Sequence, residues 1–360
     1  MLWQLPVVAA IILGITVSSA GAAPPMSEIR DIIAKRALQH HTITSLAALD
    51  SSHLNEGLRV IDPYARYVPP LVLSRASTPA RNLGVEVFFD QSRIWVRPDP
   101  GGSADKAGIP EIGELQGINH KNVQGDNLDE ISTQLVAAVQ KEVVTLTIAD
   151  GPSGKKKSYK VGATVSQPSS ITLHRQGPAK VVHIREFVSH DTAPGLSARM
   201  TELVRPGDRV VLDLRGCSGG DLFEALEIAG MFVPAGLPLI STYDRLGVVQ
   251  TYRALSGRKL KNPEWVLIDQ RTASAAEILA GILQYHHVAR VVGERSFGKC
   301  VSQTLIPLSD GGGLWLTTMG VRFPDETSCA GSGIKPDISY PDISVAKLSD
   351  IISKLAKMNN

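Results

Sequence analysis

Apolar positions along this chain change their spacing from region to region, and each change marks a new kind of element. Leu5 to Val17 is an almost continuous apolar run. Met26 to Leu49 carries apolar residues at helical spacing and predicts one or two helices. The segment from Val60 to Pro70 holds Pro63, Pro69 and Pro70, which end the helical part in a turn. From Leu83 to about Val161 the period shortens. Strand-like runs (Val85 to Phe89, Ile94 to Val96, Val143 to Ile148) surround one helical stretch, Leu128 to Val139, with Gly101-Gly102, Gly108 and Gly113 between them. This predicts a compact β-rich module of about eighty residues.

A Ser/Pro linker around Ser166 to Ser170 leads to a third region in which the two periods alternate. Val181 to Ile184, Val210 to Leu214, Leu239 to Tyr243 and Trp265 to Ile268 read as strands; Leu222 to Phe232 and Ala275 to His286 read as helices. Alternation of this kind predicts an α/β layered domain with a largely buried sheet. Val345 to Met358 reads as a short amphipathic helix able to dock on the body or on another subunit. The resulting divisions are 1–22, 23–80, 81–163, 164–344 and 345–360.

Composition narrows the classes without choosing among them. The chain has 360 residues, 43% of them hydrophobic and 20% charged, enough to bury large cores in two or three domains. A net charge of +2 gives no ground for a nucleic-acid partner, and Lys155-Lys156-Lys157 reads as a solvated hairpin tip. The small residues Ser18 to Ala23 after the first apolar run read as an export signal with an Ala20-x-Ala22 cleavage site, which places the mature protein in the periplasm or outside the cell. No Lys or Arg precedes that run. An uncleaved anchor is the rival reading, for which the run falls short of the roughly twenty residues a spanning helix needs. The three cysteines lack C-x-x-C spacing, and the nine histidines form no metal pattern, so neither a cofactor nor a metal is expected.

The candidate chemistry lies between Arg271 and Gln303. Ser274 opens an apolar helical run with Glu277 three residues on, the S-x-x-E signature of a capping box. A hydroxyl there sits among free backbone N–H groups at the positive end of a helix dipole, which suits a developing oxyanion. Gly293 to Lys299 brings a lone lysine through a glycine turn into a segment rich in β-branched residues. A lysine held in an apolar site loses its proton and can serve a serine as base. Gln303, on the face of Lys299 by even spacing, is placed to accept a hydrogen bond from the amine. Ser218 competes: Gly216-Cys217-Ser218-Gly219-Gly220 satisfies G-x-S-x-G between a strand and a helix, with Asp244 or Asp269 and His286 or His287 as partners. A plain N-cap and a plain glycine turn are the bland readings of the two serines.

These residues resemble the C-terminal processing peptidases, or tail-specific proteases, over most of the mature chain. Ser274-Ala275-Ala276-Glu277-Ile278 is similar to the S-A-S/A-E-I nucleophile motif of that family, Phe297-Gly298-Lys299 to its F-G-K motif, and Gln303 falls at its third catalytic position. Asp62 to Tyr67 resembles D-P-x-S-x-Y, Leu212 to Gly220 resembles L-D-L-R-x-x-P-G-G, and Gly331 to Asp337 resembles G-x-G-I-x-P-D. The resemblance implies a crotonase/Clp-peptidase-like α/β catalytic core, an inserted PDZ-like domain and an N-terminal helical segment. It further implies a serine endopeptidase with Ser274 as nucleophile, Lys299 as base, Gln303 as orienter, and the N–H groups of Gly219 and Ala275 as oxyanion hole. Leu83, Gly84 and Val85 would then form the loop that binds a substrate's carboxylate, although Gly84 also reads as a simple strand-entry turn. Protein or peptide substrates with free C-terminal tails are the implied partners, with room for an adaptor protein or a homodimer. Cys217-Ser218 replaces the family's Asn-Pro, and Cys300 its glycine after the lysine, so a redox-active disulfide between those two cysteines is a further expectation. A catalytically silent peptide-binding protein of the same fold and a Ser218-based hydrolase are the alternatives.

Overall fold

The computed structural model describes residues 24–39, 41, 43–70, 81–90, 93–123, 128–150, 154–165, 169–255 and 260–358. The export-signal and anchor readings of residues 1–22 lie outside them. Among the described residues no helix is long and apolar enough to cross a membrane.

Met26 to Leu49 folds as α1 (Met26–Arg36) and α2 (Ile43–Ala47), followed by α3 (Leu54–Ile61) and the short strand β1 (Arg66–Val68). Ile29, Ile33, Leu54, Leu58 and Ile61 turn into a core shared with Ile306, Leu308, Leu314 and Leu316 from far along the chain. The N-terminal segment is therefore a wall of the body rather than an independent arm.

The β-rich module comprises β2 (Arg81–Asn82), β3 (Val85–Asp90), β4 (Arg93–Pro98), the one-turn helix α4 (Ser103–Lys106), β5 (Gly113–Ile118), β6 (Lys121–Asn122), α5 (Leu128–Val139), β7 (Val143–Ala149), β8 (Lys156–Gly162) and β9 (Thr164–Val165). Six strands form an antiparallel sheet in the order β3-β4-β5-β7-β8 with β6 on β5, which leaves β3 as an edge. Val87, Val96, Leu115, Ile131, Val144, Leu146 and Ile148 fill a core of its own. The lysine run is exposed where the β7–β8 hairpin turns back, and Lys156 and Lys157 begin β8 opposite Ala149 and Ile148.

The third region runs β10 (Ile171–Gln176), β11 (Ala179–Ile184), α6 (Thr192–Leu203), β12 (Arg209–Asp213), α7 (Leu222–Gly230), β13 (Pro238–Tyr243), β14 (Val249–Arg253), β15 (Trp265–Ile268), α8 (Ala275–Tyr285), β16 (Arg290–Gly293), β17 (Val301–Pro307), β18 (Gly313–Arg322), β19 (Ile338–Ser339) and α9 (Leu348–Met358). Its central sheet has the order β10-β11-β12-β15-β16-β19, parallel except where β10 joins β11. Both faces are covered at the centre, so the inner strands β12 and β15 are apolar without alternation. Val182, Leu212, Val266 and Ile268 face α6, α7 and α8, whereas Val181, Val211, Trp265, Leu267 and Val292 face α9. Leu348, Ile351, Ile352 and Leu355 of α9 are buried there, each stabilising the contact by about 1.5–3 kcal/mol. This is docking on the body itself. A second sheet, β1-β18-β13-β14 with β17 also on β18, carries the far wall of the site.

Every residue from Ala275 to Leu283 is buried. A helix apolar on all sides has no solvent face along which to slide. Its first turn is fixed by packing on every side, and Ser274, half-buried, stands directly before it.

Candidate active site

Ser274 stands at the N-terminus of α8 with φ 57 and ψ −124, a conformation that costs a non-glycine residue energy and persists only where its surroundings hold it. Those surroundings centre on Glu277, which is fully buried. One carboxylate oxygen, Oε2, accepts from the backbone N–H of Ser274 at 2.9 Å and from that of Lys299 at 2.7 Å. The other, Oε1, accepts from Ser296 Oγ and from Gly298 N–H, both at 2.6 Å. Burial pushes this carboxyl up from its ordinary value, and the four donors pull it back toward the charged form. The capping box legible in the sequence is thus half of a larger device: a single side chain ties the serine's backbone to the lysine's loop.

Lys299 approaches β17 through Gly298, whose φ of 96 admits glycine readily. A Cβ on Gly298 would lie 3.1 Å from Gly333 N, because the segment Gly331 to Asp337 packs behind it. Gly331 N–H donates to Gly298 C=O and Ile334 N–H to Ser296 Oγ, so this closing segment braces the lysine loop. The Lys299 amine donates to Gln303 Oε1 at 2.7 Å, as the spacing predicts. The shared face is preserved although Lys299 precedes the strand and the register shifts between Ser302 and Gln303. Gln303 Nε2 in turn donates to Tyr64 C=O at 2.8 Å. Burial, and after it the positive charge of Arg66, hold Lys299 below the ordinary lysine value. Its hydrogen bond goes to Gln303 and not to Ser274 Oγ, a separation common at catalytic pairs before substrate arrives.

The loop Gly216 to Gly220 lies beside the serine. Ala273 N–H donates to Cys217 C=O at 2.9 Å, and Phe187 N–H to Gly219 C=O at 2.9 Å. A Cβ on Gly219 would stand 2.7 Å from Ser274 Cβ and 2.9 Å from Ala275 N, so the loop backbone passes directly over the start of α8. Ala275 supplies the first N–H of that helix. Cys217 is a buried free thiol pushed up to about 12 by burial.

Two expectations are corrected. Cys300 pairs with Cys329, not with Cys217. Cys329 stands two residues ahead of the closing segment, with its Cα 5.3 Å from that of Cys300, and the cystine sits against the Glu277 carboxylate, with the ligand atoms of all three residues within 4.8 Å of one another. Ser218 does not meet its histidines either. His286 Nε2 bonds Pro238 C=O at the far end of α8 and His287 is exposed, while Asp269 is paired with Arg271 and Asp244 closes a turn. Ser218 instead lines a small space with Glu86, His183, Arg185, Glu186 and Arg215.

The β-rich module docks through β3 and β4. Glu86, which burial would push up, is held below its ordinary value by Arg271 and Arg97, and both ion-pair with it. Arg271 also pairs with Asp269 and stacks on Phe88 at 3.7 Å. Arg97 donates to Ser344 C=O, Ser344 Oγ to Asp90, and Asp99 pairs with Arg185. Leu83 is buried, with its C=O taken by Ala104 N–H. Gly84 has φ 63, its N–H is satisfied by Asn82 Oδ1, and its C=O by Asp99 N–H. Val85 opens the edge strand opposite Pro98. Of the three, Gly84 spends both backbone groups inside the module.

Comparison with known proteins places the chain in a family. Residues 180–340 match peptidase family S41. The chain is 30% identical over 325 residues to a carboxy-terminal-processing protease of Bartonella bacilliformis, covering 87% of this chain and 74% of that one. It is 29% identical over 287 residues to a protein of Staphylococcus epidermidis described as a probable CtpA-like serine protease, covering 77% of this chain but spanning 57% of that relative's length. Among solved structures, a photosystem II D1 C-terminal processing protease superposes with a TM-score of 0.59 at 24% identity, over 88% of this chain and 92% of its own. A protein assigned as an S41 protease in Bacteroides fragilis superposes at 0.68 and 16% identity, over 92% and 98%. The superpositions show a shared fold, and the family match together with the 30% identical relative leads to one conclusion: the chain belongs to peptidase family S41.

Proposed function

We propose that this protein is a serine endopeptidase that cleaves proteins near their C-termini by a Ser274–Lys299 mechanism, with Gln303 orienting the lysine. The observation that carries the reading is the Lys299 amine: desolvated, donating to Gln303 rather than to a carboxylate, and carried on a loop that shares the Glu277 carboxylate with the strained backbone of Ser274. The neutral amine takes the Ser274 proton as Oγ bonds to the scissile carbonyl carbon. The resulting oxyanion is met by the N–H groups of Ala275 and Gly219. Collapse breaks the C–N bond, the ammonium returns its proton to the leaving amine, and water, deprotonated by the same lysine, hydrolyses the acyl-enzyme.

In this reading the module from Arg81 to Val165 acts as a PDZ-like tail receptor, and an extended C-terminal segment adds to the open edge of β3 with Leu83, Gly84 and Val85 at its start. The N-terminal apolar run directs export, so the substrates are periplasmic or extracellular proteins.

The test is degradation of an unfolded protein with an apolar C-terminus by wild type, Ser274→Ala, Lys299→Ala and Ser218→Ala. The proposal expects the first two variants to be inert and Ser218→Ala to keep turning over. Loss in Ser218→Ala with retention in Lys299→Ala would overturn it.

A further inference from the structure

Lys299 has a second neighbour that the Ser–Lys–Gln description leaves out. Its Nζ lies 5.0 Å from the centroid of the Tyr64 ring, within the range at which an ammonium is attracted to an aromatic face. The carbonyl of the same tyrosine accepts from Gln303 Nε2 at 2.8 Å. One residue of the N-terminal wall therefore touches the base with its ring and anchors the base's orienter with its backbone.

The tyrosine is itself firmly placed. Asp62 Oδ1 accepts from Tyr64 N–H at 3.0 Å, and the Asp62 carboxylate also receives Thr317 N–H at 2.8 Å and Thr317 Oγ1 at 3.1 Å on β18. Burial, then the charges of Glu277 and Asp62, raise the Tyr64 phenol from its ordinary value, which favours the neutral ring.

A lysine base has two conflicting needs. It must be neutral before attack, and it must be stabilised as an ammonium once it holds the serine proton. The groups that bear on Lys299 are Arg66 on β1, which opposes the ammonium, and Asp62 and Glu277, which favour it from a distance. Both carboxylates are already taken up by other donors, as described above for Glu277 and here for Asp62. A carboxylate in direct contact would hold the lysine permanently charged. An aromatic face attracts the ammonium with only a fraction of that strength, and it leaves the neutral amine free.

Resting on the Ser274–Lys299 reading, we propose that Tyr64 is a positioning residue whose ring face supports the ammonium that Lys299 becomes during attack, while its carbonyl fixes Gln303. The hydroxyl is dispensable for this; the ring is not.

Two readouts test it: the pH dependence of peptide hydrolysis, and the pH dependence of Lys299 acetylation by acetic anhydride, followed by mass spectrometry, which needs no turnover. Tyr64→Leu should move the Lys299 titration and the acid limb of activity down by roughly half a unit to one unit, and lower the plateau rate about 3- to 10-fold. Tyr64→Phe should restore the titration to its wild-type position. Should Tyr64→Leu fold poorly, phenylalanines carrying one, two and three ring fluorines at position 64 keep the shape and weaken the π face stepwise. A stepwise fall in the Lys299 titration supports the proposal. A flat fluorine series, or equal shifts in Tyr64→Phe and Tyr64→Leu, overturns it. If wild type hydrolyses nothing, the Ser–Lys reading fails, yet the acetylation series still decides whether the ring acts on the lysine.

Discussion

Replacing Glu277 by glutamine changes one atom and should damage both stability and catalysis. Each carboxylate oxygen accepts two hydrogen bonds, Oε1 from Ser296 and Gly298, Oε2 from Ser274 and Lys299. A carboxamide has one accepting oxygen, so either orientation turns an NH2 group against two donors. Hydrogen bonds to a charged acceptor contribute about 1.5–3 kcal/mol each, so losing two costs about 3–6 kcal/mol. That is a large share of the 5–15 kcal/mol typical of a folded domain. The four partners are in direct contact with one side chain and do not add independently, so the lower figure is the safer expectation. Guanidinium unfolding followed by tryptophan fluorescence reads the first effect. Hydrolysis at a temperature where both proteins are folded reads the second. Because Glu277 touches the backbones of the candidate nucleophile and base but faces no substrate, kcat should fall at least about 100-fold with KM little changed, in the pattern of an interaction felt in the transition state. Glu277→Asp, one methylene short, should fail similarly. A glutamine variant with the wild-type midpoint and the wild-type kcat would refute the hub.

Three further outcomes are expected. Since burial lowers the Lys299 pKa, activity should rise with pH along a limb below the ordinary lysine value of 10.5; between the folded and unfolded pKa the unfolded chain binds the extra proton, so wild type should also gain stability relative to Lys299→Met as pH rises toward 10.5. Gly219→Ala would place a Cβ 2.7 Å from Ser274 Cβ and from Ala273 O at a φ of 100, and should cost about 100- to 1,000-fold in kcat through the oxyanion site, measured on a fluorogenic peptide. Joining residues 29 apart, the Cys300–Cys329 bond should contribute about 3–4 kcal/mol by restricting the unfolded chain; thermal unfolding of wild type in a dithiol reductant should converge on that of the Cys300→Ala/Cys329→Ala variant.

The local grammar of this chain was legible from its residues. Apolar periodicity placed Trp265 to Ile268 on a buried strand, and the S-x-x-E pattern placed Ser274 at a helix start, because both depend on neighbours within a turn or a strand. The hydrogen bond from Lys299 to Gln303 was readable for the same reason. Harder cases were local conflicts. Pro194 and Gly195 in its first turn hide the helix Thr192–Leu203, and the glycines at 313 and 320 hide the long strand that carries Thr317.

What the sequence by itself determined was the set of chemical groups and the elements that carry them. Only tertiary structure decided which of those groups meet. Glu277 reads as half of a capping box until the fold brings Ser296, Gly298 and Lys299 within reach of the same carboxylate. Tyr64 reads as a turn residue until β1 pairs with β18 and sets its ring over an amine more than two hundred residues away. Cys300 had two possible partners, and the packing of the closing segment behind Gly298 chose Cys329. Spacing along a chain fixes neighbours within a few residues, whereas contacts between distant segments follow from how apolar faces pack, and no single stretch of sequence contains that information.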